Sequence, residues 1–261
     1  MLERLDRVPD DSILGLMAAF RADSAPNKVD LGVGVYRDAR GETPVLDAVR
    51  RAERAVLDRQ ATKSYVAPAG NAGFNQAMER LVFGPEHPVL AAGRVRSIQG
   101  TGGCGALRLG AELIRSAAPH SLVYISNPSW ANHVPLIGGA GLKLERYPYY
   151  DAATGAVRLT AMLEVFDSLP AGTVVLLHAS CHNPTGADLA EDEWRQLLEV
   201  VKRRRLMPFI DMAYQGLGTG IDADAFAIRL FAAQLPEMLV AVSCSKNFGL
   251  YRERTGVLHM V

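Results

Sequence analysis

The feature of this 261-residue chain that most restricts its fold is a series of short apolar runs separated by segments with helical spacing. Seven such runs follow one another along the chain: "VRSIQ", "SLVYIS", "LKLERYPY", "TVVLLHAS", "LMPFIDM", "MLVAVSCS" and "TGVLHMV". Amphipathic segments such as "GALRLGAELIRSAA" and "EDEWRQLLEVVKRRR" lie between them. Short buried strands that alternate with helices indicate an α/β fold with a mostly parallel sheet covered on both faces.

The first 44 residues differ from the rest of the chain. A segment with helical spacing, "DSILGLMAAFRAD", is followed by "SAPNKVDLGVGVYRDARGETP", which is rich in glycine, proline and charged residues. This second stretch is typical of a loop. We therefore predict an N-terminal arm over residues 1–44 and a main α/β domain over residues 45–261.

Charge and cysteine content restrict the partners and the compartment. The 28 basic and 28 acidic residues balance, which predicts no nucleic acid partner and no anionic lipid partner. The N-terminus is too charged for a signal peptide, and no apolar run reaches the roughly eighteen residues that a membrane span needs. Cys104, Cys181 and Cys244 follow no disulfide or C-x-x-C spacing. These features predict a soluble, cytoplasmic protein that does not bind membranes.

Candidate ligand-binding residues come directly after the apolar runs, because ligands in open α/β sheets bind beyond the carboxyl ends of the strands. After "VRSIQ", the turn "GTGGCG" opens a helix. Its glycines could bring backbone N–H groups to a phosphate, or could only allow tight packing. After "TVVLLHAS", Asn183 precedes Pro184, which keeps Asn183 out of the helical region. Its amide could project toward a ligand, and the alternative is an ordinary Asn-Pro turn.

Ionisable residues follow two further runs. Asp211 ends an apolar run and has Tyr214 three residues later. A buried carboxylate needs a cation or a donor, although Asp211 could also cap the next element. Lys246 follows "MLVAVSCS", with Arg254 eight residues later. A partly desolvated lysine near other cations can attack a carbonyl group, whereas a Ser-Lys hydrolase would need an oxyanion hole that nothing here specifies.

A metal site is the alternative for the histidines of the fourth run. His178, Cys181 and His182 lie close together in the sequence, but one strand points alternate residues to opposite faces. No carboxylate or further cysteine stands at ligand spacing. We therefore predict no bound metal.

Taken together, the groups at the strand ends match the needs of pyridoxal 5′-phosphate. The aldehyde needs Lys246, the phosphate needs the glycine-rich turn and Arg254, and the ring nitrogen needs the carboxylate of Asp211. The ring hydroxyl needs polar donors such as Asn183. A nucleotide-binding oxidoreductase would share the glycine-rich turn but would give no reason for Lys246 and Asp211.

The chain also resembles the class I aminotransferases, the aspartate and aromatic amino-acid aminotransferases among the fold-type I pyridoxal phosphate enzymes. The motifs that carry the resemblance are "GVGVY", "TKSY", "GGCGALR", "SNPSWANH", "HNPTG", "DMAYQG" and "SCSKNFGLYRER". The resemblance implies a three-layer large domain with a mostly parallel mixed sheet over residues 45–261, and it assigns residues 1–44 to an arm and part of a small domain. It also implies transamination between aspartate or an aromatic amino acid and 2-oxoglutarate, in a homodimer.

The resemblance implies roles for the residues around the cofactor ring. Lys246 would bind the cofactor covalently and then carry a proton. Asp211 would pair with the ring nitrogen, and His133 would lie behind it. Asn183 and Tyr214 would donate to the ring oxygen.

Further roles concern the phosphate, the substrate and the backbone. The phosphate would be surrounded by Gly102, Gly103, Cys104, Ser243 and Arg254. Tyr65 would join them from the other subunit of the dimer. Trp130 would stack on the ring, and Gly34, Trp130 and Asn183 would contact the substrate. The family often has cis bonds at Asn127-Pro128 and Asn183-Pro184.

Two departures from the family pattern affect the expected activity. Cys104 stands where the family usually has Thr or Ser, and a thiol is the weaker donor, so the cofactor should bind slightly less tightly. The chain also ends about a third short of a complete member, which would remove most of the small domain and two substrate-binding arginines. The alternative function is therefore an impaired fragment that binds the cofactor or only dimerises.

Overall fold

The structure, a computed structural model, describes residues 2–4, 12–30, 32 and 34–261. By contacts the chain divides into two units, Met1–Val45 and Leu46–Val261. The described part of the first unit contains a short 3-10 helix, Leu2–Arg4, and α1, Ser12–Ala22. After α1, the Lys28 ammonium group donates to the backbone oxygen of Phe20 at 2.7 Å.

The second unit is built around a seven-stranded sheet, and each predicted apolar run forms one of its strands. The strands of this unit are β1 (Arg96–Thr101), β2 (Leu122–Asn127), β3 (Lys143–Pro148), β4 (Tyr150–Asp151), β5 (Ala156–Val157), β6 (Val174–His178), β7 (Met207–Met212), β8 (Leu239–Ser243) and β9 (Thr255–Met260). The large sheet has the order β1-β9-β8-β7-β6-β2-β3, and β4 pairs with β5 separately. Within the large sheet, β9 runs opposite to the other six strands, so the predicted mostly parallel mixed sheet is confirmed.

Helices cover both faces of the sheet, as the three-layer prediction requires. The helices of the second unit are α2 (Asp47–Arg59), α3 (Ala72–Phe83), α4 (Pro88–Ala91), α5 (Gly102–Ala117), α6 (His133–Gly138), α7 (Leu159–Ser168), α8 (Glu191–Arg204) and α9 (Phe226–Gln234), and α2 buries none of its residues. In the described part of the chain, none of the helices has the length and apolar character to cross a membrane.

Alternate strand residues divide the core into two clusters. Leu176 and Phe209 point into a cluster with residues of α5 and α6. Their strand neighbours Leu177 and Ile210 point into the larger cluster, which contains residues of α3, α7, α8 and α9. This division is the period-two pattern of a strand buried on both faces, and it explains why these runs are apolar throughout.

The helix α8 illustrates how the local sequence sets an element. Its first turn carries three acidic residues and its last turn three basic residues, which suits the helix dipole. At its start, the Ala190 N–H donates to the Glu193 carboxylate at 2.8 Å. Trp194, Leu197 and Val201 form its buried stripe at helical spacing.

Candidate active site

Most of the predicted site residues converge on one cavity at one edge of the sheet. The carboxyl ends of β1, β2, β6, β7 and β8 lie at this edge, together with the amino end of the antiparallel β9. The cavity has a volume of about 270 Å³. The predicted residues that line it are Gly103, Cys104, Trp130, Asn183, Asp211, Tyr214, Ser243, Lys246 and Arg254.

The glycine-rich turn at the start of α5 lies against Ser243 and Arg254. Gly102 has a φ of +69°, and a Cβ added there would lie 2.8 Å from Arg254 Nη2. A Cβ added at Gly103 would lie 3.0 Å from the Cβ of Ser243. Glycine therefore lets the helix N-terminus, a hydroxyl group and a guanidinium group become close neighbours. Such a group of donors is suited to an anion of the size of a phosphate.

The antiparallel direction of β9 brings Arg254 to this edge. Arg254 directly precedes β9, and its Nη1 donates to the Tyr251 carbonyl oxygen at 3.0 Å. Two residues further on, Gly256 pairs with Ser243 of β8. A Cβ added at Gly256 would lie 2.5 Å from the carbonyl carbon of Gly102, so only glycine fits there. This close backbone contact explains why Arg254 lies beside the glycine-rich turn.

Asp211 is a buried carboxyl group of the cavity. It belongs to the buried strand β7 and is 7% exposed. Its Oδ2 accepts a hydrogen bond from His133 Nε2 at 3.0 Å, so the contact expected of His133 is present. The ring of Trp130 packs edge-on against His133, with 5.3 Å between the ring centroids. A buried carboxylate held in this way is stabilised by a further positive partner, which the protonated ring nitrogen of a bound cofactor would supply.

A chain of hydrogen bonds behind Asp211 has a single direction. The Asn183 N–H donates to His178 Nδ1 at 3.3 Å, so this nitrogen carries no proton. Burial lowers the pKa of His178 well below its usual value, and the neutral ring therefore has its proton on Nε2. His178 Nε2 lies 3.4 Å from Ser129 Oγ, which lies 2.8 Å from His133 Nδ1. Each donor then has one acceptor, and the chain ends with His133 donating to the Asp211 carboxylate.

A lysine and a tyrosine are neighbours inside the cavity. The Lys246 Nζ lies 5.0 Å from the centroid of the Tyr214 ring. Burial lowers the pKa of Lys246, and Arg254 lowers it further, while the Asp211 carboxylate opposes the shift. Burial raises the pKa of Tyr214, whereas a hydrogen bond with the Asn183 side chain lowers it. Lys246 therefore loses its proton more easily than a surface lysine, as a nucleophilic amine must.

Comparison with known proteins shows the family to which a chain with this site belongs. Residues 26–261 match the family model for aminotransferase class I and II. The chain belongs to that family. The resemblance seen in the motifs is thereby confirmed, and the site described above is the candidate active site of an aminotransferase chain.

Relatives of this aminotransferase chain carry two kinds of name. An aromatic-amino-acid aminotransferase of Pseudomonas aeruginosa is 49% identical over 255 residues, which cover 98% of this chain and 64% of the relative. An aspartate aminotransferase of the same organism is 46% identical over 261 residues, 100% of this chain and 66% of the relative. The chain thus spans about two thirds of the length of the curated relatives it matches.

Solved aminotransferase structures share the fold across the whole chain. The aromatic amino acid aminotransferase of Burkholderia cenocepacia J2315 has a TM-score of 0.97 and 49% identity, with 100% of this chain and 66% of that chain covered. The aromatic-amino-acid aminotransferase of Burkholderia pseudomallei, covalently bound to pyridoxal phosphate, has a TM-score of 0.97 and 47% identity, with 100% and 65% covered. These neighbours confirm the fold class.

Three predicted site residues do not line the cavity of the aminotransferase chain. Gly102 lies behind it, against Arg254. The side chain of Tyr65 is fully exposed on the surface of the second unit. Gly34 belongs to the first unit, which is described by itself. The roles of Tyr65 and Gly34 therefore stay predictions.

The aminotransferase motifs also correctly indicated the backbone at two turns. The peptide bonds Asn127-Pro128 and Asn183-Pro184 are both cis. The first lies at the end of β2, before Trp130, and the second immediately follows the site residue Asn183.

Sequence reasoning missed several residues of the aminotransferase cavity. The cavity is also lined by Leu107, Asn132, His178, Ser180, Ala213 and Ser245. His178 could have been found, because it ends the apolar run before Asn183 just as Asp211 ends the next run, and the two residues pair in register. Within the described ranges, no three His, Cys, Asp or Glu side chains are grouped so that they could hold a metal ion.

Proposed function

We propose that this chain binds pyridoxal 5′-phosphate and serves transamination between an amino acid and 2-oxoglutarate. The observation that carries the proposal is the position of Lys246, Asp211 and Arg254 around one cavity. A nucleophilic amine, a buried carboxylate and an anion-binding group are the three fixed points that this cofactor requires.

The residues present fit the cofactor. The backbone at Gly103, the Ser243 hydroxyl and the Arg254 guanidinium would hold the phosphate, because together they offer hydrogen-bond donors and a positive charge. Asp211 would accept from the ring nitrogen, and Asn183 with Tyr214 would donate to the ring oxygen. When bound, the cofactor supplies an electron sink for the bond that breaks at the substrate's α-carbon.

The chain's own groups provide proton transfer and charge control. Lys246, with its lowered pKa, is suited to attack a carbonyl carbon and afterwards to take the α-proton of the substrate and return it. His133 donates to the Asp211 carboxylate, which would hold a positive charge opposite it. Leu107 and Trp130 add apolar surface to the lining of the cavity.

Substrate, assembly and compartment follow as parts of the same proposal. The amino donor is aspartate or an aromatic amino acid, since relatives with the two names are almost equally similar to this chain, at 46% and 49% identity. The protein acts as a cytoplasmic homodimer in which Tyr65 reaches the phosphate of the partner subunit. The three free cysteines favour a reducing compartment, and the exposed Tyr65 ring favours a partner surface.

The test is a titration of the purified chain with pyridoxal 5′-phosphate. We expect a visible absorbance band, and borohydride followed by peptide mass analysis should locate the cofactor on Lys246. Lys246→Ala should lose the band, whereas the surface control Lys202→Ala should keep it. Addition of aspartate or tyrosine should shift the band of the wild type. Reduction that leaves the cofactor on another lysine would refute the assignment.

A further inference from the structure

A carboxylate outside the cavity holds the turn that carries Asn183. Asp188 Oδ2 accepts the Cys181 N–H at 2.6 Å, and Asp188 Oδ1 accepts the His182 N–H at 2.8 Å. The two carboxylate oxygens thus bind two successive N–H groups directly before Asn183. Asp188 itself is exposed and is not one of the residues that line the cavity.

The held turn has an unfavourable backbone conformation. Cys181 has a φ of +51°, in the left-handed region that residues other than glycine, asparagine and aspartate rarely adopt. Charge-assisted hydrogen bonds from backbone N–H groups to a carboxylate are stronger than neutral ones, and here they offset the cost of this conformation. Without an acceptor at Asp188, the turn has less reason to keep Cys181 left-handed.

The ring of His182 forms the other side of the same turn. Its Nε2 lies 2.9 Å from Ser126 Oγ and its Nδ1 lies 2.8 Å from Thr185 Oγ1. The ring is stacked between Tyr149 and His178, with centroid distances of 4.0 and 4.1 Å. The side chain of His182 is therefore fixed by the sheet, while its backbone N–H is fixed by Asp188. Asn183 therefore follows a residue, His182, whose side chain and backbone N–H are both held by hydrogen bonds.

Asn183 has one neighbour through its side chain, Tyr214, and another through its backbone, His178. Its side chain lowers the pKa of the neighbouring Tyr214, against the larger effect of burial, and its backbone N–H is the first donor of the chain that ends at Asp211. A change in the orientation of this turn would alter both contacts at once. The direction of the chain depends on the Asn183 N–H, because this donor selects the tautomer of His178.

We propose that Asp188 is a positioning residue of the cofactor site, acting through the 181–183 turn on Asn183 and, by the hydrogen-bond chain, on Asp211. The functional part of this inference rests on the proposed function, since the groups it orients are those assigned to the cofactor ring. Asp188 touches neither cofactor nor substrate in this role.

Two substitutions test the role, with one matched control. Asp188→Ala removes both acceptor oxygens. Asp188→Asn keeps the shape but places an NH₂ group opposite one backbone N–H, so one of the two bonds is lost. The control is Asp38→Ala in the first unit, where the carboxylate likewise accepts two backbone N–H groups, from Arg40 and Glu42.

The first readout needs no cofactor. We expect the amides of residues 181–183 to exchange hydrogen about tenfold faster in both Asp188 variants than in the wild type and in Asp38→Ala. The ¹⁵N shifts of the His178 ring should show Nε2 protonated in the wild type and a mixture of tautomers in the Asp188 variants. Unchanged exchange and unchanged ring shifts would overturn the proposal.

The second readout uses the protein loaded with pyridoxal 5′-phosphate. Loss of the Asn183 contact to the ring oxygen should move the pH midpoint of the visible band upward and weaken cofactor binding about tenfold in the Asp188 variants. A role in folding alone would lower the unfolding temperature but leave the pH midpoint in place, and that result would refute the positioning role. If the wild type binds no cofactor, the proposed function fails, while the exchange and tautomer measurements still decide the role of Asp188.

Discussion

The contact between Gly102 and Arg254 gives a sharp test of the anion site. Gly102 adopts a φ of +69°, and a Cβ added there would lie 2.8 Å from Arg254 Nη2. The Gly102→Ala substitution therefore has two separate effects, a backbone cost and a displacement of the guanidinium group. Because the contacted atom is the far end of a flexible side chain, the protein should still fold.

The two effects have different sizes and different readouts. A left-handed conformation at a residue other than glycine costs about 1–2 kcal/mol, which lowers the free energy of unfolding. A displaced Arg254 loses charge-assisted hydrogen bonds to the phosphate that are worth about 1.5–3 kcal/mol. At 1.4 kcal/mol for each factor of ten, the dissociation constant of pyridoxal 5′-phosphate should rise between about tenfold and a hundredfold.

A second glycine separates the two effects. Gly93 has a φ of +63°, and a Cβ added there would meet nothing within 4 Å. Gly93→Ala should therefore lower stability about as much as Gly102→Ala but leave cofactor affinity unchanged. Pyridoxal without its phosphate provides a further comparison, since its affinity should be the same in the wild type and in Gly102→Ala.

The assays are absorbance titration for affinity and urea unfolding for stability. Our interpretation of Arg254 as the phosphate-binding group is wrong if Gly102→Ala and Gly93→Ala weaken the phosphorylated cofactor equally. It is also wrong if Gly102→Ala weakens pyridoxal as much as its phosphate ester.

Two further predictions concern acid stability and the thiol of the cavity. Burial lowers the pKa of His259 to about 3, from 6.5 in the unfolded chain, so its contribution to stability is fully present above pH 6.5 and declines as the pH falls toward 3. Between pH 7 and pH 5 this residue should lower the free energy of unfolding by about 2 kcal/mol. Urea unfolding of His259→Gln should therefore depend less on pH than that of the wild type, and an equal pH dependence of the two proteins would contradict this role of His259. Cys104→Thr should lower the dissociation constant of pyridoxal 5′-phosphate between about twofold and tenfold, because a hydroxyl donates better than a thiol. Cys104→Val has the branched shape of the threonine variant but no hydroxyl donor, and tighter binding by this variant would point to shape as the cause.

Local patterns in the sequence were sufficient for the seven strands of the large sheet. The central runs became β6, β7 and β8 because each is short and apolar on both faces, which a strand covered by helices on both sides can bury. For the same reason the site could be predicted in large part. Asn183 and Lys246 follow β6 and β8, and Asp211 lies near the carboxyl end of β7 between them. The carboxyl ends of neighbouring parallel strands lie together whatever their order.

The spatial order of the strands could not be obtained from these patterns. The order β1-β9-β8-β7-β6-β2-β3 depends on which apolar faces and backbones fit together over long sequence distances. The glycine pair Gly102 and Gly256, more than 150 residues apart, decides one such contact by its close approach. The position of Arg254 after Lys246, together with the motif resemblance, predicted its place in the site. The antiparallel direction of β9 explains how a residue before a strand reaches the same edge.

The sequence by itself determined which chemical groups this protein brings to its site, because residue type and position after a strand are local properties. The tertiary structure alone decided how those groups act on one another. Strand pairing places His178 beside Asp211 in register. The contact of His133 with Asp211 and the two bonds of Asp188 to the 181–183 turn join atoms about 3 Å apart whose residues are not neighbours in the sequence. Such contacts arise only after the strands have paired, since distance and orientation, rather than composition, determine whether a hydrogen bond forms.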